Sequence, residues 1–222
     1  MTNKIKVKEI FASIQGEGPF IGYKQLFIRF CGCNLICNYC DTDYRTVDSQ
    51  DYTIDELVEI IKKNSDCHSV SLTGGEPLLS TGFLKEFLPQ CPLPVYLETN
   101  ATLAGELGEI IDYIDYISAD IKLASSTGGN DLFSEHDRFF SVATSKKLFA
   151  KIVFDENITE EEIMQCCKLG AKHGIELILQ PKTIDNKICL TKEFIETILD
   201  KFLKKYKKVL LIPQVHKFLD VR

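Results

Sequence analysis

Cys33, Cys37 and Cys40 stand at CxxxCxxC spacing in the stretch CNLICNYCDTDY, residues 33–44. Three thiolates this close can take a metal, yet they leave a tetrahedral site one ligand short. Two chemistries fit. Zinc with Cys31 as fourth ligand would form a closed structural tetrahedron. A four-iron, four-sulfur cluster would instead have three irons held by protein and the fourth open, and an open coordination position is where a metal site takes a reactant. Structural zinc usually draws a second ligand pair from a distant element, and no second CxxC or HxxxH occurs in this chain. A glycine-rich turn, TGGEP at residues 73–77, closes the next strand-like run, and that pairing favours the open iron–sulfur site.

Composition sets the frame for such a site. The chain has 222 residues, 45% of them hydrophobic, enough to bury one substantial core, so a single domain over residues 1–222 is expected. Nine cysteines, an odd number, follow an N-terminus (MTNKIKVKEIF) without the apolar run of a signal peptide; this points to reduced thiols in the cytoplasm. No window approaches the roughly 18 consecutive apolar residues of a membrane span. A net charge of −6 argues against a broad nucleic-acid footprint, which is normally basic. The one basic run, KFLKKYKK at residues 201–208, reads as lysines on the last turns of a helix, facing solvent.

The elements that must position the cysteines follow from periodicity. Strand-like runs recur as IKVKEIFASI, LFIRF, SVSLTG, VYLET, YISADIK, LFAKIVF, ELILQP and VLLIPQ, with helical patterns between many of them. That alternation implies an α/β fold with a parallel sheet and helices over one face. Thr53 with Glu56, and Thr159 with Glu162, match the capping box that opens a helix. A further helix runs through Phe194, Ile198 and Phe202. The segment SSTGGNDLFSEHDRFF, residues 125–140, mixes turn residues with aromatics and reads as an irregular connection. In parallel sheets chemistry collects at the carboxyl ends of strands. TGGEP, ETN (98–100), DIK (120–122) and QPK (180–182) all sit at such ends, and the cysteine loop follows LFIRF. Their polar groups should converge on one rim.

The three cysteines, the aromatic Tyr39 before the last of them, and GGEP at 74–77 together resemble the radical S-adenosylmethionine superfamily. FASIQGEGPFIGYKQLFIRFCGCN (11–34), CDTDY, TGGEP, LETN, SADIK, LQP and PQVHK, in that order along the chain, are similar to the 7-carboxy-7-deazaguanine synthases. The resemblance implies an incomplete TIM-type barrel of about six parallel strands with modified helices, acting as a homodimer. It implies that Cys33, Cys37 and Cys40 hold a [4Fe-4S] cluster whose open iron chelates S-adenosylmethionine. A one-electron donor such as a flavodoxin or ferredoxin would start radical chemistry that is also Mg²⁺-dependent. The implied reaction contracts the ring of 6-carboxy-5,6,7,8-tetrahydropterin to 7-carboxy-7-deazaguanine with loss of ammonia, so any link to tRNA is metabolic.

The same resemblance distributes roles. Ile14, Gln15, Gly16 and Glu17 would line the pterin pocket, with Glu17 reading the aminopyrimidinone edge, whose adjacent N–H donors suit a carboxylate. Arg29 would grip the substrate carboxylate and Thr73 would face the substrate. Thr42 would give its hydroxyl to Mg²⁺. Gly74, Gly75 and Glu76 would meet the methionine of the cofactor, Tyr39 and Asp41 would border it, and Asp120, Lys122 and Gln180 would lie on its ribose or adenine side. In some members the C-terminus closes over the pterin; whether His216, Lys217 or the terminal carboxylate of Arg222 reaches the substrate here is open. Two rival functions share part of the pattern: an activase that makes a glycyl radical on a protein substrate, which QGEGPFIG and CDTDY disfavour, and a non-catalytic module braced by metal.

Overall fold

In the run VYLET, Val95 and Leu97 alternate with Tyr96 and Glu98, and the flanking strands keep the same two-residue period. The computed structural model, which describes residues 4–143, 145–184 and 186–221, gives that period its meaning. Strand β1 (Lys4–Ile14) pairs antiparallel with β2 (Lys24–Phe30) and with β3 (Gln50–Thr53). From β2 the sheet continues through β4 (Ser69–Gly74), β5 (Val95–Thr99), β6 (Tyr116–Asp120), β7 (Lys147–Phe154) and β8 (Glu176–Pro181). A small hairpin, β9 (Thr183–Ile184) with β10 (Lys187–Ile188), intervenes in the chain before β11 (Val209–Leu211) closes the series beside β8. Every neighbouring pair from β2 to β11 is parallel. The described sheet thus holds seven parallel strands, against the expected six or so, plus an antiparallel edge, and its ends do not meet.

One face of this open barrel is apolar. Leu26, Ile28, Val70, Leu72, Val95, Leu97, Ile117, Ala119, Ala150, Ile152, Leu177 and Leu179 point outward into the main core. They pack under α1 (Ile54–Lys63), α2 (Thr81–Phe87), α3 (Ala104–Ile110), α6 (Glu160–His173) and α7 (Lys192–Lys205), through residues such as Leu57, Phe83, Leu107, Ile163 and Phe202. The alternate residues point into the barrel. At its amino end Tyr96, Phe149 and Ile178 make a second, small apolar cluster, and Phe20 plugs it with its ring 4.7 Å from Tyr116 and 5.4 Å from Tyr96. Toward the carboxyl end the inward positions turn polar: Arg29, Thr73, Glu98, Asp120, Lys151 and Gln180. Register aligns them, since Arg29 sits opposite Thr73, Asp120 opposite Lys151, and Val153 opposite Gln180.

The segment at 125–140 is more ordered than its composition indicates. Helix α4 (Ala124–Thr127) stops at Gly128, whose φ of +73° an L side chain rarely adopts, and α5 (Phe133–Ala143) takes up the second half. His136, Phe139, Phe140 and Ala143 fall at helical spacing and are buried on one face of α5. The turn residues at 127–131 hide that stripe, and burial of the aromatics, about 1.5–3 kcal/mol for each large side chain, outweighs their weak helix propensity. Among the described residues no helix is long and apolar enough to cross a membrane.

Both capping boxes form. Thr159 Oγ1 accepts from the Glu162 N–H at 3.2 Å, and Glu162 accepts in return from the Thr159 N–H at 2.9 Å. Glu162 has a second task, because its other oxygen accepts from the Ser125 N–H at 2.9 Å and so ties α6 to the start of α4. Thr159→Ala should therefore cost about 1 kcal/mol, the usual loss for an N-cap. Glu162→Ala should cost roughly twice that, since it also leaves the Ser125 N–H without its acceptor. Urea denaturation of the two variants measures the difference.

Candidate active site

The cysteine loop leaves β2 at Cys31 and is closed by the Gly32 N–H donating to Tyr44 O at 2.8 Å. Its inner turn is held by the Cys40 N–H on Cys37 O at 3.1 Å, and Asn38 reaches across to Thr127 O at 3.0 Å. Cys33, Cys37 and Cys40 are free thiols on the wall of one cleft, together with Tyr39, Asp41, Thr42, Gly74, Gly75, Asp120, Lys122 and Gln180. Burial pushes the Cys33 and Cys37 thiols up from their ordinary pKa, so a positive partner is needed to hold them as thiolates. Cys31 sits outside this wall, with its sulfur 3.7 Å from Arg45 O.

The glycine turn is seated backbone to backbone on that loop. A Cβ on Gly75 would stand 1.9 Å from Gly32 O, and one on Gly74, whose φ is +126°, would stand 2.2 Å from Phe30 O. Neither position tolerates a side chain. Glu76 has a different place from the one expected: its carboxylate is buried and absent from the cleft wall. It accepts from the Leu78 N–H at 3.1 Å, the Thr99 hydroxyl at 2.9 Å and the Asn100 N–H at 2.8 Å. Burial pushes its pKa up to about 7 against the pull of these donors. Glu76 therefore splices the glycine turn to the end of β5, and of the three residues only the two glycines stand on the cleft wall. Asn100, fixed in this way, donates to Asn34 Oδ1 at 2.8 Å and steadies the cysteine loop.

Lys122 reaches Asp120 at 2.9 Å and the Tyr39 hydroxyl at 3.4 Å, and lies over the Tyr39 ring. Burial alone would discharge Lys122, but the Asp120 charge holds its pKa well above the ordinary lysine value. Its backbone N–H donates to His136 Nε2 at 3.1 Å, so the His136 proton sits on Nδ1, which donates to Ala101 O at 3.1 Å. Burial lowers the His136 pKa to about 4, and the ring acts as a neutral brace under the DIK segment. Among the described residues the Nε2 of Gln180 is buried on the cleft wall without a hydrogen-bond acceptor.

A second chamber opens beside the first, lined by Phe11, Ile14, Gln15, Glu17, Phe27 and Arg29 and by His216, Lys217 and Val221 of the tail. Glu17, Asp41, Thr42, Thr73, Glu98, Gln214 and Lys217 belong to both walls, so the two chambers touch. Arg29 stacks on the Phe11 ring at 5.6 Å, with Glu9 3.6 Å from its Nε. Gln15 commits both its amide hydrogens to protein, on Gln25 at 3.0 Å and Glu98 at 2.9 Å, while its oxygen accepts the Glu17 N–H at 2.9 Å. Gly16 does not line the chamber; a Cβ there would stand 2.5 Å from His216, and its carbonyl accepts the Val215 N–H at 2.9 Å. The tail helix α8 (Val215–Leu219) is thereby strapped to the turn after β1 and, through Lys217 on Asp41 at 2.9 Å, to the cysteine loop. Arg222 lies outside the described residues.

Sequence reading places Glu98 on the rim only as part of ETN and Gln214 only within PQVHK, with no role for either, and misses Lys151 and His136. Lys151 in LFAKIVF looks like a solvent-facing residue of a strand; His136 carries no local signature.

The free thiols, the glycine cradle and the orphaned Gln180 amide suit a cluster bearing a small-molecule ligand, and the family comparison agrees. The model of the radical SAM superfamily matches residues 27–200, so the chain belongs to that superfamily, whose members use a [4Fe-4S] cluster and S-adenosylmethionine. It is 36% identical to the 7-carboxy-7-deazaguanine synthase of Geobacter sulfurreducens, with 96% of each chain covered. It is 32% identical to that of Methanothermobacter thermautotrophicus, with 97% of each chain covered. Within the superfamily the protein belongs to the 7-carboxy-7-deazaguanine synthase family. The crystal structure of QueE from Escherichia coli superposes with a TM-score of 0.67 over 96% of this chain and 95% of that one; at 19% identity the likeness shows the fold, the partial barrel described above.

Replacing Glu76 by Gln keeps the volume but turns an amide N–H₂ toward buried donors. Glu76→Gln should lose about 1–3 kcal/mol of stability in anaerobic urea denaturation, although it touches none of the cysteines.

Proposed function

We propose that this radical SAM enzyme of 7-deazapurine and queuosine biosynthesis takes 6-carboxy-5,6,7,8-tetrahydropterin in the chamber between Arg29 and Glu17 and contracts it to 7-carboxy-7-deazaguanine with loss of ammonia. The observation that carries this reading is the pair of adjoining chambers: one bears the three cysteines and the glycine turn, the other bears both the Arg29 cation and the Glu17 carboxylate, and Thr42, Thr73 and Glu98 lie on their common wall. Cys33, Cys37 and Cys40 would hold the cluster. Gly74 and Gly75 would admit the methionyl end of S-adenosylmethionine. Tyr39, Asp41, Asp120, Lys122 and Gln180 would border the rest of it. When bound, cluster and cofactor supply the reductive cleavage that starts radical chemistry.

The chain's own residues then have the task of orientation. Arg29 presents a planar fork to the pterin carboxylate, and its stacking on Phe11 limits the ways the fork can turn. Glu17 accepts from the donor edge at the other end. Burial works to raise the Glu17 pKa, yet the charge and hydrogen bond of Lys151, with the Gln214 amide at 2.7 Å, bring it to about 2, so the group stays a carboxylate at neutral pH. Ile14 supplies an apolar wall, and Gln15 and Gly16 fix Glu17 and the tail rather than offering free hydrogen-bonding groups. Thr42 would give Mg²⁺ a hard oxygen ligand where the chambers meet. One domain over residues 1–222 and a cytoplasmic location, expected from composition, the N-terminus and cysteine content, complete the proposal together with a homodimer and a flavodoxin or ferredoxin as electron donor, which the family resemblance implies.

The test is anaerobic. Protein reconstituted with iron and sulfide, then given S-adenosylmethionine, Mg²⁺, a strong reductant and the pterin, should yield 7-carboxy-7-deazaguanine by mass spectrometry; cleavage of the cofactor without that product would sink the substrate assignment. Cys37→Ala should remove both the brown cluster and turnover. Arg29→Ala should keep cluster and cofactor binding while raising the apparent pterin KM about thirtyfold, the equivalent of losing one charge-assisted hydrogen-bonded pair of about 2 kcal/mol. Normal pterin affinity in Arg29→Ala would overturn its role.

A further inference from the structure

Lys151 lies in the middle of β7, 5% exposed, in an otherwise apolar run. Its Nζ donates to the Glu17 carboxylate and stands 3.3 Å from Asp120 Oδ1. The other oxygen of Asp120 takes Lys122 at 2.9 Å. A line of alternating charge, Glu17, Lys151, Asp120 and Lys122, therefore runs from the pterin chamber to Tyr39 on the cysteine loop. A buried ion pair adds little net stability, because desolvation consumes most of the attraction. Its lasting effect is geometric. Glu17 rises from a turn and would be free to rotate, whereas Lys151 is pinned by the sheet on both sides.

We propose that Lys151 is a positioning residue for the pterin: it holds the Glu17 carboxylate ionised and turned into the substrate chamber, and fixes it relative to Asp120 on the cofactor side. The inference rests on the assignment of Glu17 to the pterin made above. An ionised carboxylate has about four acceptor positions; Lys151 and Gln214 occupy two, and two remain for the adjacent N–H donors of an aminopyrimidinone. A protonated carboxyl would meet one of those donors with its own O–H. The groups facing Glu17 are Lys151 from β7 and Gln214 and His216 from the tail, with Asp120 and Glu98 behind Lys151. Without Lys151 the site would keep two buried acids and lose the cation between them, so the Glu17 pKa would rise. Above the new pKa the variant would keep its own best affinity, lowered only by the lost positioning, and affinity would decline further as pH falls through that pKa.

The experiment is equilibrium binding of 6-carboxy-5,6,7,8-tetrahydropterin to the anaerobically reconstituted, S-adenosylmethionine-loaded enzyme across the neutral and mildly acidic range. Wild type, Lys151→Met, Lys151→Arg, Glu17→Gln and the double variant Lys151→Met with Glu17→Gln are compared, with iron content and circular dichroism as checks of folding. The readout is the ratio of each variant's Kd to that of wild type at the same pH, in which titration of the ligand is shared. For Lys151→Met the ratio should be about tenfold or more at the alkaline end and should grow by up to about tenfold per pH unit below the raised pKa. Lys151→Arg should restore most of the affinity. In the Glu17→Gln background, loss of Lys151 should add little and the ratio should be flat with pH. A pH-independent ratio for Lys151→Met, or full additivity with Glu17→Gln, overturns the proposal. If Lys151→Met does not fold, Lys151→Gln, which keeps a donor without the charge, reads the same ratio. A wild-type enzyme that does not bind the pterin overturns the functional reading and this inference with it; wild-type binding matched by Lys151→Met overturns this inference alone.

Discussion

A strand turns alternate side chains to opposite faces, and in this protein that constraint separates stability from chemistry. Seven parallel strands give their outward residues to the core beneath the helices, while their inward residues are free to be polar. Parallel sheets buried on both faces usually read as continuous apolar runs. Here the inward face carries Arg29, Thr73, Glu98, Asp120, Lys151 and Gln180 toward the carboxyl ends and aromatic rings toward the amino ends. A one-residue slip of any strand would send a charge into the core and an apolar residue into the cleft, so register and site are specified together.

That arrangement sets each inward charge beside a partner, since burial strips away much of the solvation it would otherwise have. Asp120 meets two lysines, Lys151 meets two carboxylates, and Glu76 is satisfied by three donors. The pairing links segments far apart in sequence and binds the two chambers into one unit. Their shared wall is short because Thr73 and Glu98 come from adjacent strands, joined by a 3.4 Å hydrogen bond. Under the proposed assignment a substrate in one chamber would lie next to the cysteine-lined cleft, and an enzyme can draw much of its rate from proximity of this kind.

Most of this was legible beforehand where local chemistry speaks. The cysteine spacing, the glycine turn, both capping boxes and eight strand-like runs follow from residue type and period alone. Three things were not legible. Helix α5 begins behind a string of turn residues and owes its stability to long-range burial of Phe139 and Phe140. The short edge strand β3 has no apolar pattern and exists because β1 offers it hydrogen bonds. Lys151 and Glu76 change meaning with tertiary context: one resembles a surface lysine and is the hub of a buried network, the other resembles a ligand-binding residue of its motif and is a splice beneath it.

The strap formed by α8 bears on how the chain acquires its shape. Glu17 and Gln214, which hydrogen-bond, are separated by 197 positions, and Glu17 and Lys151 by 134. Contacts of such range are made late, since the intervening chain must be ordered before closing the loop repays its entropy. The cysteine loop, the glycine turn and their anchors at Asn100 and Thr127 involve only the first six-tenths of the sequence. The second chamber, by contrast, is completed only by Gln214, His216, Lys217 and Val221 at the far end of the chain, so its wall joins the two extremes of the sequence.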